Sequence, residues 1–288
     1  MTMIKGIYAA TLSVLDSDLG LDIEKTIAHA EAIIDKGCHG VVFFGSTGQS
    51  QLISLSEKIN LINNLSSSSH KENYIIGTGL NSLSDTISLM KISMSLGFSR
   101  FLIMPPAYYK YDDQDVFNFY SKIIKVIPEA KIILYNFEKL SGYKFSENIV
   151  YKLVENFPNQ IIGVKDSSYN LFEKIKIENF SLLPGSESKL LKGLDLGCSG
   201  IITATTNATA SLAREVYDNF INKREQTLND KLCEVRAVFE KYNLISGLHT
   251  FFSQNDQKYK YILPPLRILN ETEKNDLLNK LDTLGFKN

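Results

Sequence analysis

Gly6-Ile7-Tyr8-Ala9-Ala10-Thr11-Leu12, a helical stretch from about Asp22 to Lys36, and Gly40-Val41-Val42-Phe43-Phe44 form the unit from which the whole chain can be read. Both flanking runs are apolar without strict alternation, the pattern of strands covered on both faces in a parallel sheet. The stretch between them puts Ile23, Ile27, Ala30 and Ile34 on one face, with Gly37 just past its end. The rhythm then repeats. Strand-like runs follow at 74–79 (YIIGTG), 100–106 (RFLIMPP), 131–136 (KIILYN), 161–167 (IIGVKDS), 181–187 (SLLPGSE) and 200–205 (GIITAT). Between them lie helical periodicities: one opened by Ser56 as N-cap, others near 84–96, 113–127, 146–157, 171–178 and 189–196, and a last one from about Ser211. Eight strand–helix units predict an α/β fold, a (β/α)8 TIM barrel over residues 1–222. Residues 223–288 read as a C-terminal helical segment packed on the barrel, with no Gly-, Ser- or Pro-rich linker to free it. Its repeated Lys and Glu residues are expected to be solvated helix faces.

The 288 residues are 44% hydrophobic and 22% charged, a globular balance that excludes disorder as the main state. Thirty-one Lys and Arg against 32 Asp and Glu leave no excess positive charge for phosphate backbones, so no nucleic-acid partner is expected. Cys38, Cys198 and Cys233 have no CxxC spacing and read as free thiols in a reducing compartment. No apolar run approaches a membrane span, and Met1-Thr2-Met3-Ile4-Lys5-Gly6 lacks the charge-then-apolar pattern of a signal peptide. The expectation is a soluble, cytoplasmic protein without membrane contact.

Barrels of this kind place their chemistry at the C-terminal ends of the strands. Lys165 ends the sixth strand, after Ile161-Ile162-Gly163-Val164. It can be salt-bridged there by Asp166 or Glu187. Alternatively it can be a desolvated amine able to attack a carbonyl and form a Schiff base. Tyr135 ends the neighbouring strand and offers a phenol to shuttle protons to and from a carbinolamine. Gly45-Ser46-Thr47-Gly48 suits a carboxylate through its hydroxyls and backbone N–H groups. A phosphate is disfavoured, because the seventh-strand loop where barrels usually hold one carries Glu187. His29, His39, His70 and His249 have no metal-ligand spacing and read as structural or solvated, so no metal is expected.

GSTG at 45–48, PPAYY at 105–109, ILYN at 133–136, GVKD at 163–166, PGSE at 184–187 and GIITAT at 200–205 occur in an order and spacing that is similar to one family. By these motifs the chain resembles the N-acetylneuraminate lyase/dihydrodipicolinate synthase family of pyruvate-dependent class I aldolases. The resemblance implies that Lys165 forms the imine with pyruvate, that Tyr135 is the proton shuttle, and that Ser46 and Thr47 hold the pyruvate carboxylate and join a hydroxyl relay. It implies that Tyr108, or Tyr109 in another register, reaches into a neighbouring subunit's site, and that the backbone of Ile202 faces pyruvate. Catalytic roles thus fall to Lys165, Tyr135, Thr47 and Tyr108. Substrate binding falls to Ser46, Thr47, Ser167, Gly185, Glu187, Ser188 and Ile202. No cofactor beyond the covalent imine is implied, and the assembly is expected to be a homotetramer, a dimer of dimers.

The departures concern the second substrate. Dihydrodipicolinate synthases generally carry an Arg shortly after the fifth-strand Tyr, where this chain has Leu140, preceded by Lys139. Leu140-Ser141-Gly142 and Lys144 look more like the sialic-acid lyase version, although Ser188 replaces the second acid of that branch beside Glu187. Three functions are carried forward. The first is cleavage or formation of a carbon–carbon bond between pyruvate and an aldehyde, on a non-phosphorylated 2-keto-3-deoxy sugar acid or a sialic-type substrate. The second is 4-hydroxy-tetrahydrodipicolinate synthase, condensing pyruvate with aspartate semialdehyde. The third is a non-catalytic barrel that binds a small acid.

Overall fold

A computed structural model of the chain describes residues 3–287; Met1 and Thr2 of the amino-terminal stretch, and Asn288, lie outside them. The eight strands are β1 (Gly6–Ala10), β2 (Gly40–Phe43), β3 (Tyr74–Gly77), β4 (Arg100–Ile103), β5 (Lys131–Asn136), β6 (Ile161–Asp166), β7 (Ser181–Pro184) and β8 (Gly200–Thr203). All are parallel, in the order β7-β6-β5-β4-β3-β2-β1-β8, with β1 paired to both β2 and β8. The ring nearly closes between β7 and β8, where the Ser199 N–H donates to the Leu182 carbonyl at 2.9 Å. The outer helices are α1 (Ile23–Asp35), α2 (Leu55–Leu65), α3 (Leu83–Ser95), α4 (Asp113–Val126), the single turn α5 (Glu138–Ser141), α6 (Glu147–Asn156), α7 (Leu190–Asp195) and α8 (Thr206–Ile221). The chain ends in α9 (Asn229–Phe239), α10 (Leu244–Phe252) and α11 (Glu271–Thr283). This is the expected TIM barrel with C-terminal helices.

Apolar residues on both sides of each strand have two destinations. Tyr8, Ala10, Val42, Ile75, Leu102, Ile133, Leu183 and Ile202 fill the barrel interior. Ile7, Val41, Phe43, Ile76, Phe101, Ile132, Leu134 and Ile201 face outward beneath the helices. Each such large side chain, fully buried, contributes roughly 1.5–3 kcal/mol. A third cluster joins Leu12, Val14 and Ala204 at the barrel's rim to Val235, Phe239, Leu248, Phe251, Leu277 and Leu281 of α9–α11.

Local boundaries differ from the sequence reading in three places. The second helix is capped by Ser54, not Ser56: Ser54 and Glu57 form a reciprocal capping box. The helix expected over 171–178 is reduced to a turn: the Asp166 carboxylate accepts the Leu171 and Phe172 N–H groups at 2.8 and 3.0 Å, and Lys174 and Ile175 donate back to the Leu171 carbonyl before the chain straightens. Ile175 and Ile177, β-branched, then lead through Asn179 at φ 56 into β7. The eighth helix starts at Thr206, five residues before Ser211, with non-helical geometry at Thr209.

A buried polar chain fastens the C-terminal segment to the barrel. Asn207 Nδ2 donates to the carbonyls of Ala10 and Ala204, so its Oδ1 accepts from Leu12 N–H and from His29 Nε2 at 2.9 Å. His29 Nδ1 is then left to accept from the Tyr259 hydroxyl at 2.7 Å, and the Tyr259 carbonyl accepts from His249 Nδ1 at 2.8 Å. His39 Nδ1 accepts the Ile7 N–H, and His70 lies against Asp35. Among the described residues no helix is long and apolar enough to cross a membrane, and no group of three or more His, Cys, Asp or Glu side chains could hold a metal ion.

Burial pushes His29 and His249 down to about 4, whereas a histidine in the unfolded chain titrates near ~6.5. Between those values the unfolded chain binds more protons than the folded one, so stability is full above the upper value and falls as pH drops toward the lower. Urea unfolding is expected to show a loss beginning below about pH 6.5, above the carboxylate range, and reaching roughly 3 kcal/mol per histidine by about pH 4. A flat profile between about pH 6.5 and 5 would contradict the buried neutral assignment.

Candidate active site

One irregularity in β6 decides where its last residues point. Ile162 belongs to the barrel interior and Val164 to the outer layer, so simple alternation fails between them. The pairing with β5 shows why: Ile132 faces Ile161 but Ile133 faces Gly163, a bulge of one residue. The extra residue turns Val164 outward and Lys165 inward. Gly163 is the residue type this requires, since a Cβ there would lie 2.5 Å from the Ser181 carbonyl oxygen.

Lys165 is 3% exposed, and its Nζ lies 4.3 Å from the centre of the Tyr135 ring, its partner across the β5–β6 pairing. No carboxylate of the described residues forms an ion pair with it. The two candidate partners are committed elsewhere. Asp166 points outward, accepting from Leu171, Phe172 and Asn136; burial still lifts its carboxyl above the usual range. Glu187, fully buried, accepts from Thr203, Thr209 and Arg236 at 2.8, 3.3 and 3.1 Å. The structural alternative for Lys165, a rim salt bridge, therefore has no support.

The Tyr135 hydroxyl lies 3.0 Å from Ser46 Oγ. Ser46 to Gly48 form a single 3-10 turn, anchored where Ser13 Oγ donates to the Gly48 carbonyl at 2.7 Å. The next residue, Gln49, takes φ 54 and receives the Leu263 N–H on its Oε1, tying the turn to the C-terminal segment. Ser46, Thr47, Tyr135 and Lys165 line one cavity of about 540 Å³, within the size range of small-molecule sites.

Ser167 and Gly185 also line this cavity, and they are matched: a Cβ at Gly185 would fall 2.2 Å from Ser167 Oγ. The other expected residues stand apart. Glu187 lies beneath Arg236, Ser188 Oγ meets Ser186 Oγ at 3.0 Å, and Ile202 sits in the barrel interior; none of the three lines the cavity. Tyr108, at φ 87, is 89% exposed and stands outside it. Leu140 lines a smaller neighbouring cavity that shares Ser46 and Tyr135, while Lys139 reaches the main cavity from an exposed position.

The C-terminal helices contribute what the sequence reading did not assign. Arg236 of α9, its C-cap Glu240 and Leu244 of α10 line the cavity with Tyr169 and Phe137. Far from being a solvated charge, Arg236 is 4% exposed and donates from Nη1 to Glu187, Thr203 and Thr205, and from Nε to Glu240 at 2.8 Å. Burial opposes its charge, but Glu187 and Glu240 outweigh that and hold the guanidinium above its ordinary pKa. A signal for this existed: Arg236 lies four residues after Leu232 and three before Phe239, on the apolar face of its helix.

Residues 3–284 match the model of the dihydrodipicolinate synthetase family. A 4-hydroxy-tetrahydrodipicolinate synthase of Methanothrix thermoacetophila is 26% identical over 98% of this chain and 98% of its own length. A 2-dehydro-3-deoxy-D-gluconate/2-dehydro-3-deoxy-phosphogluconate aldolase of Picrophilus torridus is 26% identical over 77% of this chain and 85% of its own. The crystal structure of YagE, a dihydrodipicolinic acid synthase family protein of E. coli K12 in complex with pyruvate, superposes with a TM-score of 0.86 at 21% identity, covering 99% of this chain and all of that one.

Gly163→Ala is expected to leave the chain folded but destabilised by roughly 1–3 kcal/mol, the usual cost of forcing an atom into a packed site. The same displacement moves Lys165, so its rate of modification by a small carbonyl reagent should fall in parallel. Unchanged stability and unchanged modification in this variant would remove the bulge from the account.

Proposed function

This chain belongs to the dihydrodipicolinate synthetase family, and on that premise we propose that it is a pyruvate-dependent class I aldolase acting on a non-phosphorylated 2-keto-3-deoxy sugar acid or a sialic-type substrate. The observation that carries the chemistry is the buried, unpaired amine of Lys165 beside a phenol that contacts Ser46.

In this reading, the Lys165 amine adds to the keto carbon of pyruvate and water leaves from the carbinolamine. The resulting protonated imine withdraws electrons, so the pyruvate methyl group loses a proton and becomes an enamine nucleophile. That carbon attacks the aldehyde, and hydrolysis of the imine frees the longer keto acid and the lysine. Cleavage is the reverse. Each step moves a proton, and Tyr135 with Ser46 and Thr47 provides the relay. The hydroxyls of Ser46 and Thr47 also hold the pyruvate carboxylate. The imine is the only covalent group the reaction uses, and no metal or added cofactor takes part.

Two observations support the aldehyde class. Leu140 lines the neighbouring cavity, so a second substrate carboxylate would meet only the exposed ammonium of Lys139 from that loop. Exposed ion pairs contribute about 0–1 kcal/mol, less than the buried bidentate partner such a group calls for. Ser167 lies in the cavity to accept or donate to a hydroxylated chain. The competing reading, condensation with aspartate semialdehyde, is favoured by the Methanothrix thermoacetophila relative, which carries that activity in its name. We further propose a cytoplasmic homotetramer, a dimer of dimers, in which the exposed Tyr108 enters the neighbouring subunit's site.

Incubation with pyruvate followed by borohydride should modify Lys165, located by mass spectrometry. An adduct on another lysine, or none, would sink the mechanism and leave the binding-barrel reading. Tyr135→Phe should retain the fold and lose on the order of 10²–10⁴ in kcat.

Substrate choice is tested by kcat/KM for aspartate semialdehyde with pyruvate against cleavage of 2-keto-3-deoxygluconate and of N-acetylneuraminate. The sugar substrates should lead by about one to two decades. A semialdehyde lead of about tenfold would install the synthase reading instead.

A further inference from the structure

The side of the cavity built by α9 holds a guanidinium with more negative than positive charge around it. Arg236 meets the Glu187 carboxylate at 3.1 Å and the Glu240 carboxylate at 2.8 Å, and both Arg236 and Glu240 line the cavity. One positive and two negative charges leave this corner with a net surplus of negative charge. A phosphate or carboxylate set against Glu240 would meet like charge there, with the ammonium groups of the cavity, Lys139 and Lys165, contributed by other elements.

The hydrogen-bonding inventory shows what the corner offers instead. Nη1 is committed to Glu187, Thr203 and Thr205, and Nε to Glu240 Oε1. Among the described residues, Nη2 of Arg236 and Oε2 of Glu240 have no partner in the chain. A planar donor beside a carboxylate acceptor matches two adjacent hydroxyl groups, one oxygen accepting from Nη2 and the other hydroxyl donating to Oε2. Because Arg236 is 4% exposed and fixed by four bonds, little ordering is required when a ligand arrives.

We propose that Arg236 and Glu240 are the specificity-determining pair for the aldehyde end of the substrate, reading two adjacent hydroxyls on an uncharged polyhydroxy aldehyde and rejecting an anionic one. The proposal rests on the Schiff-base reading of Lys165. It assigns a role to α9, outside the barrel strands that carry the chemistry, and it narrows the aldehyde to chains bearing a diol without phosphate or a second carboxylate.

The test measures condensation with pyruvate for D-glyceraldehyde, lactaldehyde (which lacks the second hydroxyl) and glyceraldehyde 3-phosphate, in the full-length wild type and in Glu240→Gln. Glu240 is half-exposed, so this variant preserves the buried Arg236–Glu187 contact. The amide can still accept from Nε, but it presents an NH2 where Oε2 accepted and removes one negative charge. In the wild type, glyceraldehyde should exceed both of the other aldehydes in kcat/KM by about tenfold or more. In Glu240→Gln the advantage over lactaldehyde should shrink, and the phosphorylated aldehyde should gain about tenfold relative to glyceraldehyde. Borohydride trapping of pyruvate on Lys165 is run on both proteins. Normal trapping with both ratios unchanged by the substitution, or a wild type that prefers the phosphorylated aldehyde, overturns this proposal alone. Absence of a Lys165 adduct in the wild type overturns the Schiff-base reading and this one with it.

Discussion

The site depends on a one-residue mismatch between two adjacent strands. In a ladder that alternated without interruption from Ile162, the interior would receive Val164 and the helical shell would receive a lysine with nothing to neutralise it. The extra residue in β6 reverses that outcome at the strand's end, while the lower part of the strand keeps its packing. Its cost is confined to a place where no side chain is present to resist: the Ser181 backbone comes close enough to exclude any Cβ at Gly163. Everything that follows at the rim, including the contact of Lys165 with the Tyr135 ring and the contact of Tyr135 with Ser46, inherits this change of direction.

The two buried basic side chains near the cavity are treated in opposite ways. Lys165 has an aromatic face and apolar walls but no ion partner. A buried amine without an ion partner is the setting the proposed imine calls for. Arg236 is held through Nη1 and Nε by two carboxylates and two threonine hydroxyls. A guanidinium so held stays charged and stays put, the property of a group that orients a ligand. A carboxylate resting on Lys165 would have quenched the first role, and the commitment of Asp166 and Glu187 to other donors keeps it open.

Much of the barrel was legible because its signal is coarse and repeated. Strands buried on both faces read as apolar runs, and the helical periods between them recur at similar spacing. Lys165, Tyr135, Ser46 and Thr47 were legible for a related reason: the fold dictates that strand ends meet, so the rim can be listed before any distance is known. The failures occurred where a side chain's long-range partner decides the outcome. Periodicity over 171–178 suggested a helix, but the structure has a single turn anchored on Asp166 and no continuation past Ile175, and that anchor cannot be inferred from spacing. The resemblance gave Glu187 to the ligand; the contact it makes in the fold, with Arg236, reaches 49 residues further along the chain and was not read. The charge-rich composition of the C-terminal segment concealed the inward-facing guanidinium of Arg236.

The sharing of apolar packing between Leu12, Val14 and Ala204 and the last three helices has an evolutionary consequence. Lys165 and Tyr135 enter the cavity from strand ends whose geometry is fixed by the ring, while Arg236, Glu240 and Leu244 enter it from the C-terminal segment. On the proposed reading, substitutions in that segment alter which aldehyde is accepted without disturbing the register that aims the lysine. A lineage built on this plan can exchange substrates by drift in its tail while its reactive centre stays unchanged, so overall sequence likeness follows the reaction type more faithfully than it follows the metabolite.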